Sequence, residues 1–133
     1  MDPTTTWLPG TPKGDLDTPA FVIDLDVMES NIGRMAGYFE TRPVNLRPHS
    51  KHHKTPAIAK KQIDAGAIGV CCQKIGEAEV MVDGGIDDIL VTYEIWGAPK
   101  IRRLLSLTRR ATVQVIVDDV HNVEDLSEAA QAF

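Results

Sequence analysis

Apolar residues recur along this chain at two spacings. Leu25, Met28, Ile32, Met35 and Phe39 are separated by three and four residues, which lays them on one face of a helix. They follow PAFVIDLD, a short apolar run ended by acids, where ordered structure is expected to begin. Asp26, three residues before Glu29, marks a capping-box-like start for that helix. From Val44 onward a shorter unit repeats. VNLRPHSK reads as a strand running into a basic loop, and Thr55-Pro56 then caps and opens a helix through AIAKKQIDA that Gly66 stops. AIGVCCQ is a second buried strand, followed by the helix GEAEVMV and the breaker Asp83-Gly84-Gly85. DDILVTY is a third strand, and Pro99 begins the helix KIRRLLSL. ATVQVIVDD is a fourth, followed by a helix with Val123, Leu126, Ala130 and Phe133 on one face.

Strand ends fall near Lys51, Gln73, Tyr93 and Asp118, at intervals of 22, 20 and 25 residues. Short apolar strands alternating with amphipathic helices give βα units and a parallel sheet. A doubly wound sheet and a (β/α)8 barrel are both compatible with that pattern. In either, working residues gather at the C-terminal ends of the strands. Lys51, Gln73, Thr92 to Glu94 and Asp118 to His121 all fall there.

Composition narrows the function. The chain has 133 residues, enough for one domain, with 43% apolar and 25% charged residues. Fourteen Lys and Arg against 19 Asp and Glu leave a net charge of −5, which argues against nucleic acid or an anionic membrane as partner. No apolar run approaches the roughly 20 residues that span a bilayer. The first residues lack the basic and apolar regions of a secretory signal, so a cytoplasmic location is expected. Residues 1–17, with three prolines and three consecutive threonines, read as an irregular arm before a domain over 18–133. The two cysteines, Cys71 and Cys72, are neighbours and are read as reduced thiols.

The candidate chemistry lies in LRPHSKHHK, Leu46 to Lys54. Three roles suit its composition. It could be a solvated basic turn. Against that, it ends a strand, and period-2 alternation sets Arg47, His49 and Lys51 on one side. It could hold a metal through His49, His52 and His53, but no helix bears H-E-x-x-H and no acid or cysteine lies within eight residues, so no metal site is assigned. Or Lys51 could form a Schiff base. That requires a free amine, which burial beside Arg47, His49, His53 and Lys54 would favour.

Three stretches together, TPAFVIDLDVMESNI, LRPHSKHHK and AGAIGVCCQKIGEAEVMVDGGIDDILVTYEIWG, closely resemble the D-threonine aldolase and D-serine dehydratase family from about Thr18 to about Leu107. The resemblance implies an alanine-racemase-like (β/α)8 TIM-type barrel, of which this chain would be the N-terminal half. The remaining strands, a mostly β domain, the phosphate-binding loops and the ligands of a divalent metal would lie beyond it. It implies pyridoxal phosphate as cofactor, with Lys51, the lysine of R-P-H-x-K, forming the Schiff base in preference to Lys54. Arg47, His49 and Gln73 would bind the cofactor. The implied reaction is lysis of a small D-configured 3-hydroxy amino acid, by retro-aldol cleavage to glycine and an aldehyde or by dehydration. An amino-acid racemase of the same barrel and a non-catalytic pyridoxal-phosphate-binding protein are the alternatives. His52 stands where many relatives carry threonine or another small residue, and Tyr93 where many aldolases carry asparagine. By itself this chain is expected to be inactive, and either to self-associate or to be part of a longer protein, because four strands leave an open edge and an uncovered apolar layer.

Overall fold

The structure, a computed structural model that describes residues 8–133, is an α/β sector with a parallel sheet. The part of the N-terminal arm within the described residues contains one 3-10 turn, Lys13–Asp15, and residues 1–7 lie outside them. Helix α1 is Leu25–Glu40. Its cap is Asp24, not Asp26: the Asp24 carboxylate accepts from the Val27 amide at 3.1 Å. The apolar stripe of α1 is only partly used, because Met28, Ile32 and Phe39 are half-buried while Leu25 and Met35 remain exposed. Phe21, Val22 and Ile23, just before it, are exposed and join no strand.

The repeating unit follows as expected. Helix α2 is Pro56–Asp64, with the Thr55 hydroxyl accepting from Ala57 N and Pro56 opening the first turn. Gly66, at φ +107, turns the chain out of it. Strands β1 (Val70–Cys72), β2 (Asp88–Val91) and β3 (Thr112–Val115) form one parallel sheet in chain order. Helices α3 (Ile75–Asp83) and α4 (Ala98–Leu107) connect them, and α5 (Val120–Gln131) follows β3.

The first predicted strand is present in position but incomplete in pairing. Ile68 N donates to Leu46 O at 3.0 Å, Cys71 N to Pro48 O at 2.8 Å, and Ser50 N to Cys71 O at 2.9 Å, yet His49–Cys71 is the single parallel bridge. Pro48 has no N–H, so the ladder lacks a donor where the neighbouring bridge would form. Residues 46–50 therefore flank β1 as a fourth, irregular strand.

All four following helices lie on one face of the sheet. Val70, Cys72, Ile89 and Val91 are sealed there with Ala59 of α2, Ala78 and Met81 of α3, and Ile101, Leu104 and Leu107 of α4. Leu126 and Ala129 of α5 pack against the same core. A doubly wound sheet would send helices to both faces. Sequential strands with every helix on one side are a barrel sector. The side of α5 that packs carries Asn122, Leu126 and Ala129, and shares only Leu126 with the predicted stripe. Val123 and Phe133 are exposed, while Asn122 is buried and donates its Nδ2 to Ile95 O at 2.9 Å. Among the described residues no helix is long and apolar enough to cross a membrane.

Candidate active site

Period-2 alternation puts Arg47, His49, Cys71, Asp88, Leu90 and Thr92 on the face opposite the helices. The C-terminal rim of that face is built by three connections. The first runs from Ser50 to Thr55. Ser50 is fully buried, with its hydroxyl donating to Cys71 O at 2.9 Å, which pins the start of the loop to β1. Lys54 N returns to Ser50 O at 2.8 Å, and Lys54 itself sits at φ 51 to make that turn.

His49 occupies the floor of the rim. Its Nδ1 accepts from Lys51 N at 3.2 Å, and its Nε2 is 2.9 Å from the Thr92 hydroxyl. Thr92 donates its one proton to Cys72 O at 3.2 Å, so it receives from His49 Nε2–H. The ring is thus the neutral Nε2–H tautomer with both nitrogens engaged. Its pKa agrees: burial, then the Lys51 ammonium, pushes it below the ordinary imidazole value.

Lys51 and Lys54 have opposite surroundings. Lys51 is exposed, short of the burial a Schiff-base lysine would need, and its ammonium has no ion-pair or hydrogen-bond partner among the described residues. The Lys54 ammonium is held by Glu77 in an ion pair. Glu77 lies in the first turn of α3, its side chain only 9% exposed against 57% for Lys54, and its second oxygen accepts from Gln73 N at 2.8 Å. Burial works to raise the Glu77 carboxyl, but Lys54 and the Gln73 amide outweigh it and hold the group below the usual carboxylate value.

Of the residues singled out from sequence, His49, Lys51 and Gln73 meet at this rim. Arg47 is placed lower. Its guanidinium, 13% exposed, pairs with Asp88 at 2.7 Å. Asp88 opens β2 while Thr92 follows its end, four residues or about 13 Å along the strand. Gly69 permits this crossing: a Cβ there would lie 2.4 Å from Arg47 Nη1 and 2.4 Å from Asp88 O. The histidines are dispersed, with His52 exposed and His53 half-buried, its Nδ1 accepting from Thr55 N at 3.2 Å. Among the described residues no three His, Cys, Asp or Glu side chains converge on a metal position. Both thiols are buried and unpaired, and burial raises both above the ordinary thiol value.

Glu77 and Asp88 were not singled out from the sequence. A glutamate at the third position of a helix that follows a strand end is the signature that marks Glu77. For Asp88, an acid opening an otherwise apolar strand is the corresponding signal.

The chain matches the family model described as alanine racemase, N-terminal domain, over residues 23–132. It is 46% identical over 126 residues to the 3-hydroxy-D-aspartate aldolase of Paracoccus denitrificans, covering 93% of this chain and 33% of that protein. The crystal structure of D-threonine aldolase from Filomicrobium marinum superposes with a TM-score of 0.87 at 50% identity, over 90% of this chain and 32% of that one. D-threo-3-hydroxyaspartate dehydratase from Delftia sp. HT23 superposes with a TM-score of 0.78 at 38% identity, over 89% and 31%. The chain spans about a third of the length of the curated relatives it matches.

Proposed function

The chain belongs to the alanine racemase N-terminal domain family, and from that premise we propose that it is the lysine-bearing sector of a pyridoxal-phosphate-dependent lyase for D-configured 3-hydroxy amino acids. The observation that carries the reading is the contrast between two amines on one loop. Lys54 is committed to Glu77, whereas Lys51 stands at the strand-end rim with an uncommitted ammonium.

The residues present fit the cofactor in that respect. Lys51 would hold it through Nζ, with His49 and Gln73 beside it and Arg47 supporting the floor from below. When bound, its pyridine ring supplies an electron sink for the bond broken at the substrate's α-carbon. His49 has spent both ring nitrogens on Lys51 N and Thr92, so its role is to fix the floor and the start of the loop. Lys51 Nζ is left as the group at this rim placed to take up or return a proton. Protonated, it would also offer a positive charge to a substrate carboxylate. The described residues offer no ligand set for the divalent metal that the resemblance implies, and no step is derived through one.

The substrate class rests on the similarity to proteins named for 3-hydroxy-D-aspartate, D-threonine and D-threo-3-hydroxyaspartate. Cleavage to glycine and an aldehyde, and dehydration, both start from that class. A cytoplasmic, self-associating protein acting on small amino acids goes with this reading. The test is an assay of the whole protein with D-threonine, D-3-hydroxyaspartate and D-serine, with and without a chelator. Consumption of these D-isomers is expected, with chelator-sensitive rates. Interconversion of L- and D-alanine unaffected by chelator would overturn the lyase in favour of a racemase.

A further inference from the structure

Lys51 and Lys54 lie three residues apart on one loop at the strand-end rim, and a lysine amine that is already ion-paired is a poor competitor for an aldehyde. We infer that Glu77 is a positioning residue that directs pyridoxal phosphate to Lys51 by holding Lys54 out of reach. The inference rests on the Lys51 reading above and adds the residue that makes it selective.

The geometry behind it is a clamp with three anchors. Glu77 is nearly buried, and one oxygen takes the Gln73 amide at 2.8 Å while the other takes the Lys54 ammonium. The carboxylate is therefore fixed to α3 and to the end of β1 before it reaches Lys54. Lys54 is drawn to it through a backbone at φ 51, a conformation that costs a non-glycine residue energy and persists only where surrounding contacts enforce it. The contacts that enforce it are Lys54 N to Ser50 O at 2.8 Å and the Glu77 pair itself. Both ends of the loop are thereby tied to β1, Ser50 directly and Lys54 through Glu77. Lys51 and His52 lie exposed in the span between them.

The chemistry turns on which nitrogen carries a free electron pair at the right place. A lysine condenses with the aldehyde only as the neutral amine. Its nitrogen forms the bond to the aldehyde carbon, and the aldehyde oxygen leaves as water with the nitrogen's two protons. An ammonium donating to a nearly buried carboxylate must first surrender both its proton and its partner, and surrendering it leaves Glu77 charged without a counter-ion. Lys51 has only its proton to give up, since no partner among the described residues holds its ammonium.

The whole protein is treated with pyridoxal phosphate, reduced with borohydride, and the modified lysines are located by peptide mass mapping. In the wild type the label is expected on Lys51 with little on Lys54. In Glu77→Gln, which keeps the shape and removes the charge, the Lys54 to Lys51 ratio is expected to rise at least about tenfold, the equivalent of 1.4 kcal/mol. Lys60 and Lys61, on α2, serve as internal controls and should keep their wild-type labelling. A uniform rise at every lysine would mean general loosening and would overturn the role given to Glu77. So would a ratio that stays low in Glu77→Gln, and this leaves the assignment of Lys51 intact. Predominant labelling of Lys54 in the wild type would instead overturn the Lys51 assignment itself.

Discussion

The two faces of the sheet differ in what covers them and in what they carry. On the helix side, Val70, Cys72, Ile89 and Val91 are fully buried in a continuous apolar layer. On the other side, the sheet and the irregular strand beside β1 present Arg47, His49, Asp88 and Thr92, linked by the Arg47–Asp88 ion pair and by hydrogen bonds from His49 to Thr92 and from Thr92 to Cys72 O. Leu90 there is half-buried, and Gln114 and Ile116 are exposed. The first face is held by area removed from water, which is non-directional and tolerant of shape. The second is held by donors and acceptors whose positions are fixed. Stability therefore lives on one side of each strand and the candidate chemistry on the other, one residue apart in sequence.

The sharpest way to break that division is at Lys51. Lys51→Ala in the whole protein should abolish covalent attachment of pyridoxal phosphate completely while leaving the urea unfolding midpoint of the cofactor-free protein close to that of cofactor-free wild type, because an exposed side chain is removed. Lys54→Ala should leave attachment in place. The absorbance of the lysine-linked cofactor reports both. Loss in Lys54→Ala with retention in Lys51→Ala would transfer the site to the other amine.

Next in size is a pair of isoleucines. Ile89 is 0% exposed on the helix side, and Ile89→Ala should cost about 2–5 kcal/mol, the transfer loss plus a cavity. Ile116, 40% exposed on the other side just past β3, should cost less than about 1 kcal/mol as alanine. Urea denaturation of the two variants measures the difference. Equal losses would mean that the second face contributes to the core as much as the first.

Much of this architecture could be read from the sequence because local chemistry and global fold agree over most of the chain. Thr55-Pro56 and Gly66 bound α2 as expected, and the apolar runs ending near Gln73 and Tyr93 are the strands of a parallel sheet. The apolar run ATVQVIVDD promised a longer strand than Thr112–Val115. The features that escaped depend on partners distant in sequence. The packed side of α5 turns on Asn122 reaching Ile95 O, 27 residues away, and no apolar count finds a buried amide. Arg47 belongs to the inward row by periodicity, but Asp88, 41 residues on, decides how deep it sits. Pro48 interrupts the ladder in a segment whose composition otherwise reads as strand. The same limit applies to Glu77. Spacing brings several cations to one loop, whereas which of them is already engaged depends on a carboxylate 23 residues from Lys54.

The smallest expected effect sharpens the comparison from the polar side, through His49. Burial and the Lys51 ammonium disfavour its protonated form, His52 adds to that, and Glu77 opposes it, so the folded pKa lies below the ordinary 6.5. Protonation would also remove the acceptor at Nδ1 that receives Lys51 N. The sign follows from proton uptake. As pH falls below 6.5 the unfolded chain binds the proton before the folded one does, so the stabilisation present above that pH is lost progressively toward the lowered folded value and then levels off. His53 is lowered as well, chiefly by burial, and contributes in the same window. Wild-type stability from urea midpoints should therefore decline between neutral pH and the folded value. His49→Gln should make that decline shallower without removing it, because His53 remains. A wild-type curve flat across this range, or a variant as steep as wild type, would show that the His49 ring is not held neutral by its place in the floor. In that case the hydrogen-bond chain through Thr92 would not be what fixes the base of the Lys51 loop.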